Sequence, residues 1–156
     1  MPGLDRQGWP SGVTPGTASV SSSPSSHRPE GPVIVTVCTS CRAPGADLAE
    51  APGRALYDAT VRAAEGAACQ VRPTQCLSVC KRICSASISA AGGYTFVFGD
   101  LDPATAGADL VTLAEACAVS PYGFVAWRDR PQAIRSGIIA RVPPPDWSPD
   151  DGGAPA

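Results

Sequence analysis

The sequence predicts an α/β fold in the order strand, helix, strand, loop, hairpin, helix, and three observations carry that prediction. The run "PVIVTVC" is β-branched and almost wholly apolar, as a buried strand is. Leu56, Ala59 and Ala63 recur at helical spacing between Pro52 and Gly66. The stretch "SASISAAGGYTFVFGD" alternates in character on both sides of a Gly-Gly turn, as a hairpin does.

Taken in order, residues 1–31 are rich in Ser, Pro and Gly without an apolar period and read as a disordered tail. The first strand, Val33 to Val37, ends at Cys38. "CTSCRAPGA" is then a loop broken by Pro44 and Gly45. A helix follows from Pro52 to Glu65, with Pro52 in its first turn and Gly66 at its end. "CQVRPTQ" alternates as a second strand that Pro73 terminates, and the thiol-rich "QCLSVCKRIC" comes directly after it. Past the hairpin, Asp102 and Pro103 form an N-cap and N1 pair. They open a helix with Ala106, Leu110, Leu113, Ala114 and Cys117 on its apolar face, stopped near Pro121. Phe124, Trp127, Ile134, Ile138 and Ile139 then pack back on the core as a short helix and an extended strap. From residue 144 the composition turns to Pro, Gly and Asp, a second disordered tail over 144–156. One domain, 32–143, remains, and about 100 residues suffice for a core without disulfide staples.

Composition removes several classes of function. A net charge of −2 gives no global electrostatic case for nucleic acid. No apolar run approaches the roughly 18 residues of a membrane span. The start "MPGLDRQGWPSG" has neither a basic nor an apolar signal region, so a cytoplasmic protein is expected. Its seven cysteines are then expected to serve metal or redox chemistry rather than disulfides. The single histidine, His27, falls in the N-terminal tail, which disfavours catalytic triads and His-containing zinc sites.

Cysteine must therefore carry the chemistry, and two clusters stand out. Cys38 and Cys41 follow the first strand; Cys76 and Cys80 follow the second. If those strands pair in parallel through the crossover helix, their C-terminal ends lie side by side. Cys38, Cys41, Cys76 and Cys80 then meet at one sheet edge, a donor set for zinc or an iron–sulfur cluster. Residues 42–75 separate the pairs, well beyond the roughly 15–20 residues of a zinc ribbon. Cys84, one helical turn past Cys80, is a third thiol in the same loop.

The segments "VTVCTSC", "QCLSVCKRIC", "YTFVFGDLDP" and "SPYGFVAWRDRPQAIRSGIIARVPP" together resemble a bacterial family of small metal-binding proteins grouped with thioredoxin-like 2Fe–2S ferredoxins. The resemblance covers about Val33 to Pro143. It implies a thioredoxin-like fold, a 2Fe–2S cofactor and ferredoxin-like one-electron transfer by a carrier rather than an enzyme. "QCLSVC" is similar to the E-C-L-x-x-C segment of the small iron–sulfur subunit of NADH dehydrogenase. By that likeness Cys76 and Cys80 bind one iron and Cys38 is the first ligand to the other. Those ferredoxins place their second cysteine further along the first loop, so the fourth ligand is Cys41 or, as its substitute, Cys84. A redox partner protein is implied but not identified, and related ferredoxins are often homodimers.

Two other readings use the same thiols: a zinc-binding module in the four-thiolate site, and a thioredoxin-like thiol–disulfide oxidoreductase using Cys38 and Cys41. Lys81 and Arg82 either raise the potential of a bound cluster or are solvated loop charges. Cys69 and Cys117 are expected to be structural, and Asp100 and Asp102 to belong to a turn and a helix cap. Arg128, Arg130, Arg135 and Arg141 make the C-terminal strap basic; a solvated surface is expected, with docking of an acidic partner the other reading.

Overall fold

The protein is described by a computed structural model, which covers residues 28–43, 45, 47, 51–145 and 147. Residues 1–27 of the expected tail over 1–31, His27 among them, and most of 144–156 lie outside the described residues. The elements are β1 (Glu30–Cys38), α1 (Pro52–Ala63), β2 (Cys69–Thr74), β3 (Ala86–Ala91), β4 (Thr95–Phe98), α2 (Ala106–Val119), α3 (Gln132–Arg135) and β5 (Ile138–Val142). They form one mixed sheet in the order β2-β1-β3-β4-β5. β1 and β2 are parallel, and β3, β4 and β5 join as antiparallel neighbours. The α/β succession expected from the sequence is present: strand, helix, strand, loop, hairpin, helix.

Side-chain alternation sets the layers. Val33, Val35 and Val37 of β1 are fully buried while Ile34 and Thr36 between them are half-buried. Both helices pack against β1 and against each other. Leu56, Leu110 and Leu113 meet Ile88, Phe96 and Phe98 in the core. Thr60, also fully buried, satisfies its hydroxyl on the Leu56 carbonyl at 2.7 Å. The helices touch at Gly107, where an added Cβ would lie 2.9 Å from the Ala59 and Thr60 backbone. No helix among the described residues is long and apolar enough to cross a membrane.

Several boundaries differ from the sequence reading. β1 starts at Glu30, inside the segment read as tail, and Trp147, in the other expected tail, packs against the core. β2 runs through Pro73, which pairs with Val37, because β2 is an edge strand and the missing N–H costs no ladder bond. α2 starts at Ala106 rather than Pro103. Asp102 caps the turn before it: its carboxylate accepts from Ala104 N–H at 2.9 Å and from the Thr105 hydroxyl at 3.2 Å. The extended strap is a fifth strand, with Phe96 opposite Arg141 and Thr95 opposite Val142.

Arg130 and Arg135 of that segment are fasteners, whereas Arg128 and Arg141 are exposed, as expected of a solvated surface. Arg130 is 6% exposed, donates Nε–H to the Val125 carbonyl at 2.9 Å and lies 5.1 Å over the Phe96 ring. Arg135 bonds the carbonyls of Arg130 and Arg128, each at 2.7 Å. Arg141 covers Tyr94 and Phe124.

Candidate metal centre

The parallel register brings Cys38, the last residue of β1, opposite Thr74, the last of β2. The loop leaving β1 is laid on the loop leaving β2 by Thr39, whose N–H donates to the Thr74 carbonyl at 2.9 Å and whose hydroxyl reaches it at 3.1 Å. Cys38 Sγ donates to the Gln75 carbonyl at 3.5 Å. The two cysteine segments thus share one end of the sheet. The residue before β3 joins them: the Ser85 carbonyl accepts the Cys38 N–H at 3.0 Å, and its hydroxyl lies 3.2 Å from Cys41 Sγ.

The first turn of α1 closes this loop from behind. Gly53 N–H donates to the Cys41 carbonyl at 3.1 Å. A Cβ on Gly53 would stand 2.3 Å from the Cys38 carbonyl oxygen and 2.9 Å from Cys41 Cβ. Sequence reasoning used Pro52 and passed over Gly53. The available signal was a glycine just inside a helix, where it costs about 1 kcal/mol of propensity without a packing reason.

Residues 75–85 contain no helix or strand, so Cys76, Cys80 and Cys84 do not form a helix stripe. Ser78 takes a left-handed conformation, φ 61°, and its N–H donates to Cys76 Sγ at 3.1 Å. The Ser78 N–H is therefore aimed at the Cys76 sulfur, and the Leu77 backbone favours the charged form of Cys38, a polarity that suits negative charge. Cys76 and Cys80 sulfurs are 3.8 Å apart and exposed. Cys38 and Cys41 are 1% and 4% exposed, and Cys84 is buried behind them. Arg82 is ion-paired with Asp100, and Lys81 is exposed.

The thiols differ in acidity. Burial pushes Cys38 up, but hydrogen bonds from Cys41, the Leu77 N–H and, less, Ser40 outweigh it and hold the thiol below its ordinary value. Burial raises Cys41, with the neighbouring Cys38 charge adding to it and the Ser85 hydrogen bond opposing. Cys80 is raised by its hydrogen bond with Cys76 and by the charge there. Cys84 is pushed up to about 12, first by burial and then by the charges of Cys41, Cys38 and Asp102. Cys69 and Cys117 lie away from this group; burial raises both, Cys117 to about 12.

These donors fit a thiolate-ligated metal in pairs. A tetrahedral metal with bonds of about 2.3 Å to sulfur has an S–S edge of about 3.8 Å, and the Cys76–Cys80 separation is 3.8 Å. Cys38 and Cys41, both buried in the loop after β1, form the second pair, and the charge of Cys38 acts on Cys41. No group of three or more His, Cys, Asp or Glu among the described residues is set to hold a single ion.

Among solved structures, a thioredoxin-like [2Fe–2S] ferredoxin from Aquifex aeolicus is similar at 17% identity, over 76% of this chain and 99% of that one, with a TM-score of 0.48. No curated protein matches the chain. Residues 35–144 match the family described as "Protein of unknown function (DUF1636)", and with most of its length covered the chain belongs to that family.

Proposed function

We propose that this protein is a one-electron carrier that binds a [2Fe–2S] cluster, with Cys38 and Cys41 on one iron and Cys76 and Cys80 on the other. The observation that carries the reading is the arrangement of thiols in two pairs on neighbouring loops, with no group of three or more donors among the described residues set to hold a single ion. Each iron of a binuclear cluster takes two protein ligands, whereas a structural zinc takes four in one tetrahedron. When bound, such a cluster supplies reversible one-electron exchange and requires no substrate pocket.

The chain's own groups suit that task. The Ser78 N–H donates to the Cys76 sulfur and the Leu77 backbone favours the charged form of Cys38, so both support sulfurs that carry negative charge. The exposed Cys76 and Cys80 set one edge of the centre against solvent, where a redox partner protein can approach. Cys41 is preferred to Cys84 as the fourth ligand because it shares the loop after β1 with Cys38.

A thiol–disulfide oxidoreductase is the second reading, favoured by one observation: Cys38 is lowered and Cys41 raised, as in an attacking and a resolving pair. Two facts weigh against it. Both thiols are at most 4% exposed, and no helix begins at Cys38 to support an attacking thiolate.

The test is iron, acid-labile sulfide and zinc content of protein purified without oxygen, with visible spectra before and after dithionite. Two irons and two sulfides per chain with absorption that bleaches on reduction are expected. One zinc per chain without sulfide would replace the proposal with structural zinc, and disulfide reductase activity in metal-free protein would favour the second reading.

A further inference from the structure

We propose that the Ser85 hydroxyl sets the reduction potential of this centre by donating a hydrogen bond to the Cys41 sulfur, making Ser85 a positioning residue for electron transfer. The inference rests on the [2Fe–2S] reading above and goes past it to a group that binds no metal.

Ser85 is 1% exposed, and a hydroxyl that far from water needs an acceptor. Its Oγ is 3.2 Å from Cys41 Sγ, where either group can donate while Cys41 is a thiol. A metal-bound thiolate has no proton, so the bond then has one polarity, from Ser85 to sulfur. The residue is fixed for this role: its carbonyl holds the Cys38 N–H at 3.0 Å, and the next residue, Ala86, pairs with Val37 in the sheet. Both cysteines of the first loop are therefore tied to one serine at the mouth of β3.

Ser40 provides the contrast. Its Oγ is 3.8 Å from Cys38 Sγ, but it donates to the Gln75 carbonyl. A serine hydroxyl has a single proton, and that of Ser40 goes first to the nearby Gln75 oxygen, leaving a long, secondary contact with Cys38. Leu77 and Ser78 act through backbone groups that side-chain substitution leaves in place. Among these sulfur contacts Ser85 is thus the side chain whose removal deletes the closest side-chain donor. A donor to a ligand sulfur favours the form with one more electron, and away from water that preference is strengthened.

The experiment is a redox titration of anaerobically purified wild type, S85A and S40A, with iron and sulfide measured on each. S85A is expected to keep the cluster and to lower the reduced-to-oxidised ratio at a fixed applied potential by on the order of tenfold. That is a fall of about 59 mV for a one-electron couple. S40A is expected to move it much less. If S85A loses the cluster, S85T and S85V decide, since they match in volume and differ in the hydroxyl; S85T should titrate well above S85V. A loaded S85A that titrates with wild type, an S40A shifted as far as S85A, or equal S85T and S85V would overturn the inference. Wild-type protein without iron and sulfide would instead remove the cofactor reading beneath it.

Discussion

At Gly53 a side chain has nowhere to go, because the Cys38 carbonyl and the Cys41 side chain already occupy the space above it. Replacing Gly53 with Ala is expected to destabilise the protein by about 1–3 kcal/mol, the usual scale of overpacking, and to reduce iron content with it; urea midpoints and metal analysis check both. Single replacements at the thiols test the ligand set: C41S should lose cluster occupancy and C84S should retain it. Cys117 makes a pH prediction. Its folded-state value is pushed up to about 12 by burial, against an ordinary 9.0. Folded protein therefore keeps a proton that the unfolded chain has released, so this contribution is whole below about pH 9 and is lost as pH rises toward 12. Stability should fall across that window by about 1.4 kcal/mol per pH unit from this thiol, and less steeply in C117A, as urea unfolding at successive pH values would read. The cysteines were legible in the sequence because thiols are few and clustered. Gly53 and Ser85 were not, since their importance comes from atoms supplied by other segments.

The C-terminal elements show the same limit one level up. Ile138–Val142 reads as an extended strap from sequence, and its β-branched pair is visible there, but nothing local reveals that β4 is its partner. The arginines around it read as solvated because charge is usually exposed. Here the guanidinium of Arg130 lies over Phe96 and bonds the Val125 carbonyl, an interaction between residues that no periodicity joins. R130A is expected to cost about 1–3 kcal/mol, since it leaves a carbonyl unpaired and strips packing from a fully buried ring. R54A, which breaks an ion pair whose side chains are 59% and 45% exposed, should cost less than about 1 kcal/mol. Thermal melts of the two variants compare them directly. The first half of the sheet was legible because β1, α1 and β2 follow one another and the short crossover leaves few arrangements.

For the whole molecule, the sheet joins segments that are far apart in the chain and makes their thiols neighbours. Binding that engages both loops stabilises the folded state alone, because the unfolded chain does not hold the pairs together. Removing iron with an anaerobic chelator should therefore lower the thermal midpoint, and the loss should be absent in a C38S/C76S double variant that binds none. In the metal-free protein, alkylation followed by peptide mass analysis should find Cys76 and Cys80 modified before Cys38, Cys41 and Cys84, following their exposure. The outer border of the sheet beside the thiols carries one more implication. A second polypeptide that tried to lengthen the sheet along β2 would meet a guanidinium at Arg72 and no amide hydrogen at Pro73. Strand-by-strand stacking of copies is thereby discouraged at the end where electrons would enter and leave, so that end stays open to a visitor that does not dock as a strand.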